Sequence, residues 1–160
     1  MAALSTEDRA LDLILWRHAD AEDGVPDCSR KLTAKGDKQA QQMGRWLKHH
    51  LPEGVRILVS PAKRAQQTVS ALGLAFETTR EVGTEASIES VMAAAGWPNT
   101  NGVVLVVGHQ PTLGRIAATL LGAPEAGWSV KKGCVWWFSA RLHGDKLQTA
   151  LRTVVSPEFL

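Results

Sequence analysis

Cysteine is scarce in this sequence. Among the 160 residues the only two cysteines are Cys28 and Cys134, and neither has a Cys or His close by. Disulfide frameworks and zinc sites need several such residues at short spacings, and no other cluster of metal ligands is visible. The sequence therefore predicts free thiols in a reducing compartment, with no metal site and no cofactor.

Long apolar runs are also missing. No run approaches the roughly 20 apolar residues that a helix needs to cross a bilayer. The first 16 residues place acidic side chains before a short apolar run, whereas a secretory signal has a basic start, a longer apolar core and a cleavage site. We therefore predict a cytoplasmic protein with no membrane partner.

An excess of one charge is absent as well. Lys and Arg total 18 against 16 Asp and Glu, and the basic residues are scattered along the chain, which argues against a nucleic-acid partner. The length and the 44% hydrophobic content are typical of one globular domain. We predict a single domain over residues 1–160, with residues 1–10 as a flexible N-terminal segment.

Short apolar runs alternate with amphipathic segments along the chain. Thr33 and Ser60 are the predicted N-caps of two helices, and Pro61 the first helical residue after Ser60. The predicted helices cover 34–51, 61–72, 86–95 and a segment from Pro111 to Gly122. The predicted strands cover 11–16, 55–60, 74–76, 103–108, 134–140 and 147–155. This order predicts a three-layer α/β sandwich with a mostly parallel central sheet and helices on both faces.

Three of the predicted strands end in polar, reactive residues. These ends carry Arg17 and His18, the segment 60–64 that contains Arg64, and His109. Carboxyl ends of parallel strands form one crevice, and helix N-termini with guanidinium groups suit a phosphate dianion. Neutral imidazole is a nucleophile, and neighbouring cations favour the neutral form. These residues therefore predict His18 as a nucleophile that needs no metal.

Four ordered motifs carry a resemblance to a known family. They are LILWRHADAE at 13–22, LTAKG at 32–36, SPAKRAQQT at 60–68 and VVGHQP at 106–111. Together with the short length and the LRTVVSPEFL ending, they resemble the histidine phosphatase superfamily, and within it the SixA-type phosphohistidine phosphatases. The resemblance implies that His18 accepts the phosphoryl group, that Arg17 and Arg64 hold its oxygens, and that His109 completes the pocket. Ser60 and Gln110, which lie in the same motifs, are expected to contact substrate.

The sequence departs from that family pattern at two places. Ala19 stands where most of the wider superfamily has Gly. Larger relatives also use a Glu on an inserted cap domain as the general acid, and no such insertion separates Arg64 from His109 here. Glu85 and Glu89 lie in the corresponding stretch. Glu85 is the candidate general acid, and the alternative is that either residue is a solvated charge on a helix face. A phosphohistidine substrate needs an acid less, because imidazole leaves more readily than an alkoxide.

The predicted function is hydrolysis of phosphohistidine on a protein, through a phospho-His18 intermediate. The predicted partner is thus a phosphorylated histidine-containing protein. Two alternatives remain open at this point: a phosphatase of small phosphorylated metabolites with the same mechanism, and a phosphate-binding module that lacks catalysis. Lys131 and Lys132 are most simply solvated charges, and the alternative is that they guide an acidic partner.

Overall fold

A computed structural model describes residues 8–160 of the chain. Six strands alternate with four helices, and short 3-10 turns occupy Asp27–Ser29, Arg80–Val82 and Pro157–Phe159. The strands are β1 (Asp8–Arg17), β2 (Arg56–Val59), β3 (Glu77–Thr78), β4 (Gly102–Gly108), β5 (Val135–His143) and β6 (Lys146–Val155). The helices are α1 (Ala34–His50), α2 (Lys63–Ser70), α3 (Ile88–Ala95) and α4 (Thr112–Leu120).

All six strands form one sheet in the order β3-β2-β4-β1-β5-β6. Neighbouring strands from β3 to β1 are parallel, while β5 is antiparallel to both β1 and β6. Only β5 therefore runs against the common direction, and the prediction of a mostly parallel sheet is confirmed. The carboxyl ends of β1, β2 and β4 consequently lie side by side at one edge of the sheet.

Helices cover both faces of the sheet. Met43 of α1 and Val69 of α2 pack with Ile14 and Trp16 of β1 on one face. Val91 of α3 and Leu113 of α4 pack against the other face. Burial of these apolar side chains, at about 25 cal/mol per Å², is the main force that holds the layers together. The predicted three-layer sandwich is thus confirmed, and the chain between α2 and β4 adds only β3, a 3-10 turn and α3.

The structure corrects three local predictions. Residues 8–10 pair with β5 as the start of β1, so the predicted flexible segment was wrong there; residues 1–7 lie outside the described residues. The third strand forms at Glu77–Thr78 rather than 74–76, because pairing with Leu58 and Val59 selects that register. Helix α2 begins at Lys63 with Ala62 at its N-cap position, so Ser60 is not a helix cap.

Within residues 8–160, no helix is both long and apolar enough to span a membrane.

Candidate active site

Three strand ends bring the predicted residues together. The His18 amide donates to the Gly108 carbonyl at 3.1 Å, and the Ser60 amide donates to the Val107 carbonyl at 3.1 Å. These bonds continue the parallel ladder just beyond β1, β2 and β4. They place the imidazole rings of His18 and His109 with their centroids 5.2 Å apart. His18, Ser60, Arg64 and His109 are all buried polar residues, which is unusual unless they are paired or functional.

The ring of His18 has a defined proton position. Its Nδ1 lies 2.7 Å from the carbonyl oxygen of Ala19, and a carbonyl can only accept a hydrogen bond. In the neutral ring the proton therefore resides on Nδ1, and Nε2 is unprotonated and carries the lone pair. Nε2 in turn lies 3.4 Å from Nε of Arg64, which donates towards it. The nitrogen that can act as a nucleophile thus faces the arginine.

Arg64 is fixed at both ends of its guanidinium group. Besides the contact with His18, its Nη1 donates to the main-chain oxygen of Asp27 at 2.8 Å, and its Nη2 donates to the Asp27 carboxylate at 3.0 Å. The same carboxylate accepts from Nε of Arg30 at 3.0 Å. The Arg64 side chain is only 5% exposed, so its planar fork is held in one orientation.

Asp27 was not identified from the sequence. It lies 37 positions before Arg64, in the polar loop between His18 and α1, and such a long-range pairing has no periodic signal. The available signal was the density of acidic residues in that loop, which contains Asp20, Glu22, Asp23 and Asp27, opposite a predicted cationic pocket. Arg64 holds the pKa of the Asp27 carboxyl below its ordinary value.

Ser60 contacts His109. Its hydroxyl oxygen lies 2.7 Å from Nε2 of His109 and accepts from the Ala62 amide at 3.2 Å. The buried hydroxyl hydrogen is satisfied when it is donated to Nε2, which leaves the ring proton of His109 on Nδ1. Within the described chain Nδ1 is buried and has no partner. Ser60 is therefore a positioning residue for His109, and Nδ1 is an unused donor in the site.

Arg17 is held by the main chain of a different loop. Its Nη1 donates to the Val130 carbonyl at 3.1 Å, and its Nε is buried without a partner among residues 8–160. Burial lowers the pKa of Arg17 from its ordinary value, but an arginine stays charged at any working pH. Arg17 also lowers the pKa values of both His18 and His109, so its charge acts directly on the pocket.

Both histidines are neutral at working pH. Burial is the main cause that lowers the pKa of His18 to about 4, and the charges of Arg64 and Arg17 act in the same direction, against the hydrogen bond to Ala19. Burial, followed by the charges of His18 and Arg64, lowers the pKa of His109 to about 3. Desolvation and like charges both disfavour the imidazolium form. The pocket therefore combines neutral imidazoles with fixed cations, which suits an anion.

Residues of the sequence motifs anchor the loop that follows His18. The Thr68 hydroxyl accepts from the Ala19 amide at 3.0 Å, and Gln67 accepts from the Leu32 amide at 2.8 Å. Thr33 caps α1, as predicted, by accepting from the Gly36 amide at 2.9 Å. A Cβ atom at Gly36 would overlap the main chain of Asp20, so glycine permits this close approach. These contacts give Gly36, Gln67 and Thr68 a structural role in motifs that also supply the residues of the pocket.

Two predicted residues are placed differently from the others. The side-chain amide of Gln110 donates to the Trp128 carbonyl at 3.0 Å and accepts from the Gly114 amide at 2.7 Å. Gln110 therefore ties α4 to the loop that contains Trp128. Glu85 is exposed in the turn before α3 and lines a crevice of about 790 Å³ that also contains Ser60.

Within residues 8–160, no group of three or more His, Cys, Asp or Glu residues is arranged to hold a metal ion.

Sequence comparisons identify a protein family and individual relatives that this chain matches. The profile of the histidine phosphatase superfamily (branch 1) matches residues 13–87, a range that includes Arg17, His18 and Arg64. A phosphohistidine phosphatase SixA homolog of Haemophilus influenzae is 37% identical over 128 residues, which cover 70% of this chain and 78% of that protein. The phosphohistidine phosphatase SixA of Escherichia coli is 34% identical over 119 residues, or 69% and 74% of the two chains.

Solved structures share the same architecture. The SixA protein of Nakamurella multipartitia superposes with a TM-score of 0.76 at 27% identity, covering 92% of this chain and 96% of that one. The protein histidine phosphatase SixA complexed with tungstate gives a TM-score of 0.75 at 27% identity, with 92% and 98% of the chains covered. Because the sequence relationship, the fold and the ordered motifs agree, the chain belongs to the histidine phosphatase superfamily and to its SixA-type members.

Proposed function

We propose that the protein is a phosphohistidine phosphatase that uses His18 as a covalent nucleophile. The observation that carries this proposal is the state of the His18 ring: Nδ1 is hydrogen-bonded to the Ala19 carbonyl, Nε2 is unprotonated, and Arg64 Nε lies 3.4 Å from that nitrogen. A lone pair on a neutral nitrogen, beside a fixed donor for the phosphoryl oxygens, is what in-line attack on phosphorus requires.

The reaction then proceeds in two steps, phosphoryl transfer to His18 and hydrolysis of the phosphoenzyme. In the first, the Nε2 lone pair of His18 attacks phosphorus while the P–N bond to the substrate imidazole breaks; the bonding pair stays on that imidazole, which takes up a proton from solvent. In the second, water attacks phosphorus, the P–Nε2 bond breaks, inorganic phosphate leaves and neutral His18 returns. The loose transition state places charge on the equatorial oxygens, so catalysis depends on positioned donors.

Three residues of the pocket can serve as those donors. Arg64 and Arg17 supply fixed positive charge, and Arg17 Nε is a buried N–H with no partner in the described chain. His109 offers its Nδ1–H, because Ser60 occupies the other ring nitrogen. An oxyanion bound among these groups would satisfy donors that are otherwise buried and unpaired, which removes a free-energy cost of about 1–3 kcal/mol per group.

The leaving group favours phosphohistidine over a phosphate ester. Glu85 is exposed and makes no hydrogen bond through its carboxylate among the described residues, so Glu85 is not held against His18. Imidazole can leave without a strong general acid, whereas an alkoxide cannot. The SixA relatives carry the name phosphohistidine phosphatase, which supports the same substrate class for this chain. One solved relative is complexed with tungstate, a tetrahedral oxyanion like phosphate.

The proposed substrate is a phosphorylated histidine-containing protein in the cytoplasm. The segment between α2 and β4 contains no inserted domain that could cover His18, so a folded partner can reach the pocket. Free thiols at Cys28 and Cys134 support a reducing compartment.

A substrate panel tests this proposal. The purified protein is given a phosphorylated histidine-carrier domain, a phosphohistidine peptide, an aryl phosphate and a set of sugar phosphates, and kcat/KM is measured for each. We expect the phosphohistidine substrates to have the highest kcat/KM values. A sugar phosphate that equals or exceeds them would transfer the function to metabolite hydrolysis, and absence of turnover on every substrate would indicate a binding module.

A further inference from the structure

A second crevice adjoins the phosphoryl pocket at Arg17. It has a volume of about 490 Å³ and shares Arg17 with the pocket. Its walls come from the first turns of α1, the loop before β5 and the C-terminal 3-10 turn. The charged side chains that line it are four cations and two carboxylates: Arg17, Lys35, Lys131, Lys132, Asp20 and Glu158.

Some of the charged side chains in this crevice have partners within it and others do not. Asp20 is neutralised by Lys132, whose Nζ lies 3.0 Å from its carboxylate. Glu158 accepts a hydrogen bond from Ser156 at 3.2 Å. Lys35 and Lys131, by contrast, are exposed and form no ion pair or side-chain hydrogen bond within residues 8–160. The four cations outnumber the two carboxylates, so the crevice keeps a net positive charge, although Lys35 also helps to lower the pKa of Asp20.

The position of Arg17 links this charge to the reaction. Arg17 is the last residue of β1 and directly precedes His18, and the same residue forms a wall of the crevice. A polypeptide whose phosphohistidine reaches His18 would therefore extend over Arg17 into the space between Lys35 and Lys131. Like charge on a partner would be repelled there, and carboxylates would be attracted.

We propose that this crevice, lined by Lys35 and Lys131, is a recognition subsite for acidic residues that flank the phosphohistidine in the partner protein. The inference rests on the proposed function and adds a specificity determinant to it. Acidic flanking residues pair with Lys35 and Lys131, while the phosphoryl group is held by Arg17 and Arg64. Small phosphate esters do not reach the two lysines and gain nothing from them.

Matched peptides test the subsite. Two peptides of one sequence, with either Glu or Gln at the positions around a single His, are phosphorylated with phosphoramidate and compared as substrates. The wild-type protein should prefer the Glu peptide by about fivefold in kcat/KM, the scale expected for two exposed ion pairs. The double variant Lys35→Gln/Lys131→Gln should lose this preference. High salt should also reduce it in the wild-type protein, because exposed charges are screened.

The controls separate the subsite from general effects. The variant Lys48→Gln/Lys146→Gln removes two exposed lysines outside the crevice and should keep the wild-type preference. An aryl phosphate should be hydrolysed by all three proteins within about twofold of one another, since a small ester makes few contacts beyond its phosphate. Equal hydrolysis of both peptides by the wild-type protein, or a preference that persists without Lys35 and Lys131, would overturn the subsite and leave the phosphatase assignment intact. Hydrolysis of sugar phosphates but of neither peptide would instead overturn the proposed function, and the subsite with it.

Discussion

Mild acid should destabilise this protein through His18 and His109. The pKa of His18 is lowered from 6.5 to about 4 in the folded state, and that of His109 from 6.5 to about 3. Below pH 6.5 the unfolded chain therefore binds more protons than the folded chain, so the free energy of unfolding falls as the pH falls. The stability is fully present above pH 6.5 and is lost progressively towards the folded pKa values.

The size of the effect follows from those values. Each histidine contributes about 1.4 kcal/mol per pH unit within the window, so a change from pH 7 to pH 5 costs about 2 kcal/mol per ring and about 3–4 kcal/mol in total. Asp20 and Asp27 also have lowered pKa values, but from a reference of 3.8. Their contribution is lost mainly below pH 5, and the chosen window therefore isolates the histidines.

Urea unfolding at pH 7, 6 and 5, in buffers without phosphate, measures this loss. The variants His18→Gln and His109→Gln provide the matched comparison, because each removes one buried titrating ring and leaves the exposed histidines in place. Each variant should show about half of the wild-type pH dependence. A wild-type free energy that changes by less than about 1 kcal/mol between pH 7 and pH 5, or variants with the wild-type slope, would refute the assignment of two buried neutral imidazoles.

Three further results are expected from activity measurements. Arg64→Ala should lower kcat/KM about 10²–10³-fold, the scale for loss of one preorganised donor, without loss of the folded state; a change below threefold would place Arg64 outside the reaction. Glu85→Gln should change kcat/KM for a phosphohistidine peptide by less than about threefold, because its exposed carboxylate is not held at the site, and a loss above about tenfold would make it the general acid. Activity should survive a metal chelator, since arginines supply the positive charge; inactivation reversed by added metal would contradict this.

The sequence was informative wherever local chemistry determines structure. Alternating apolar runs predicted the strands and helices of the sandwich, and Thr33 was recognised as the cap of α1 because capping depends on residues only three positions apart. The position of His18 after β1 and His109 after β4 likewise followed from the ends of buried runs. Because parallel strands end at the same edge of a sheet, the two histidines come together without any further signal in the sequence.

The contacts that complete the site could not be predicted in this way. Ser60 precedes a proline, which is the local pattern of a helix N-cap. Its hydroxyl nevertheless forms a hydrogen bond with His109, 49 positions away. Asp27 holds Arg64 across a similar separation. Gln110 lies in a site motif, but its amide is occupied by Trp128 and Gly114. Such pairings depend on how the loops meet in three dimensions, for which neither periodicity nor propensity gives a signal.

Trapping the phosphoenzyme tests the central claim most directly. The protein is mixed with a phosphohistidine peptide, quenched in base within the first turnover, and mapped by peptide mass spectrometry. We predict an acid-labile, base-stable phosphoryl group on His18 that forms before phosphate is released, and neither label nor turnover in His18→Ala. Turnover by the wild-type protein with no label on His18, or a His18→Ala variant that retains full activity, would contradict the covalent mechanism.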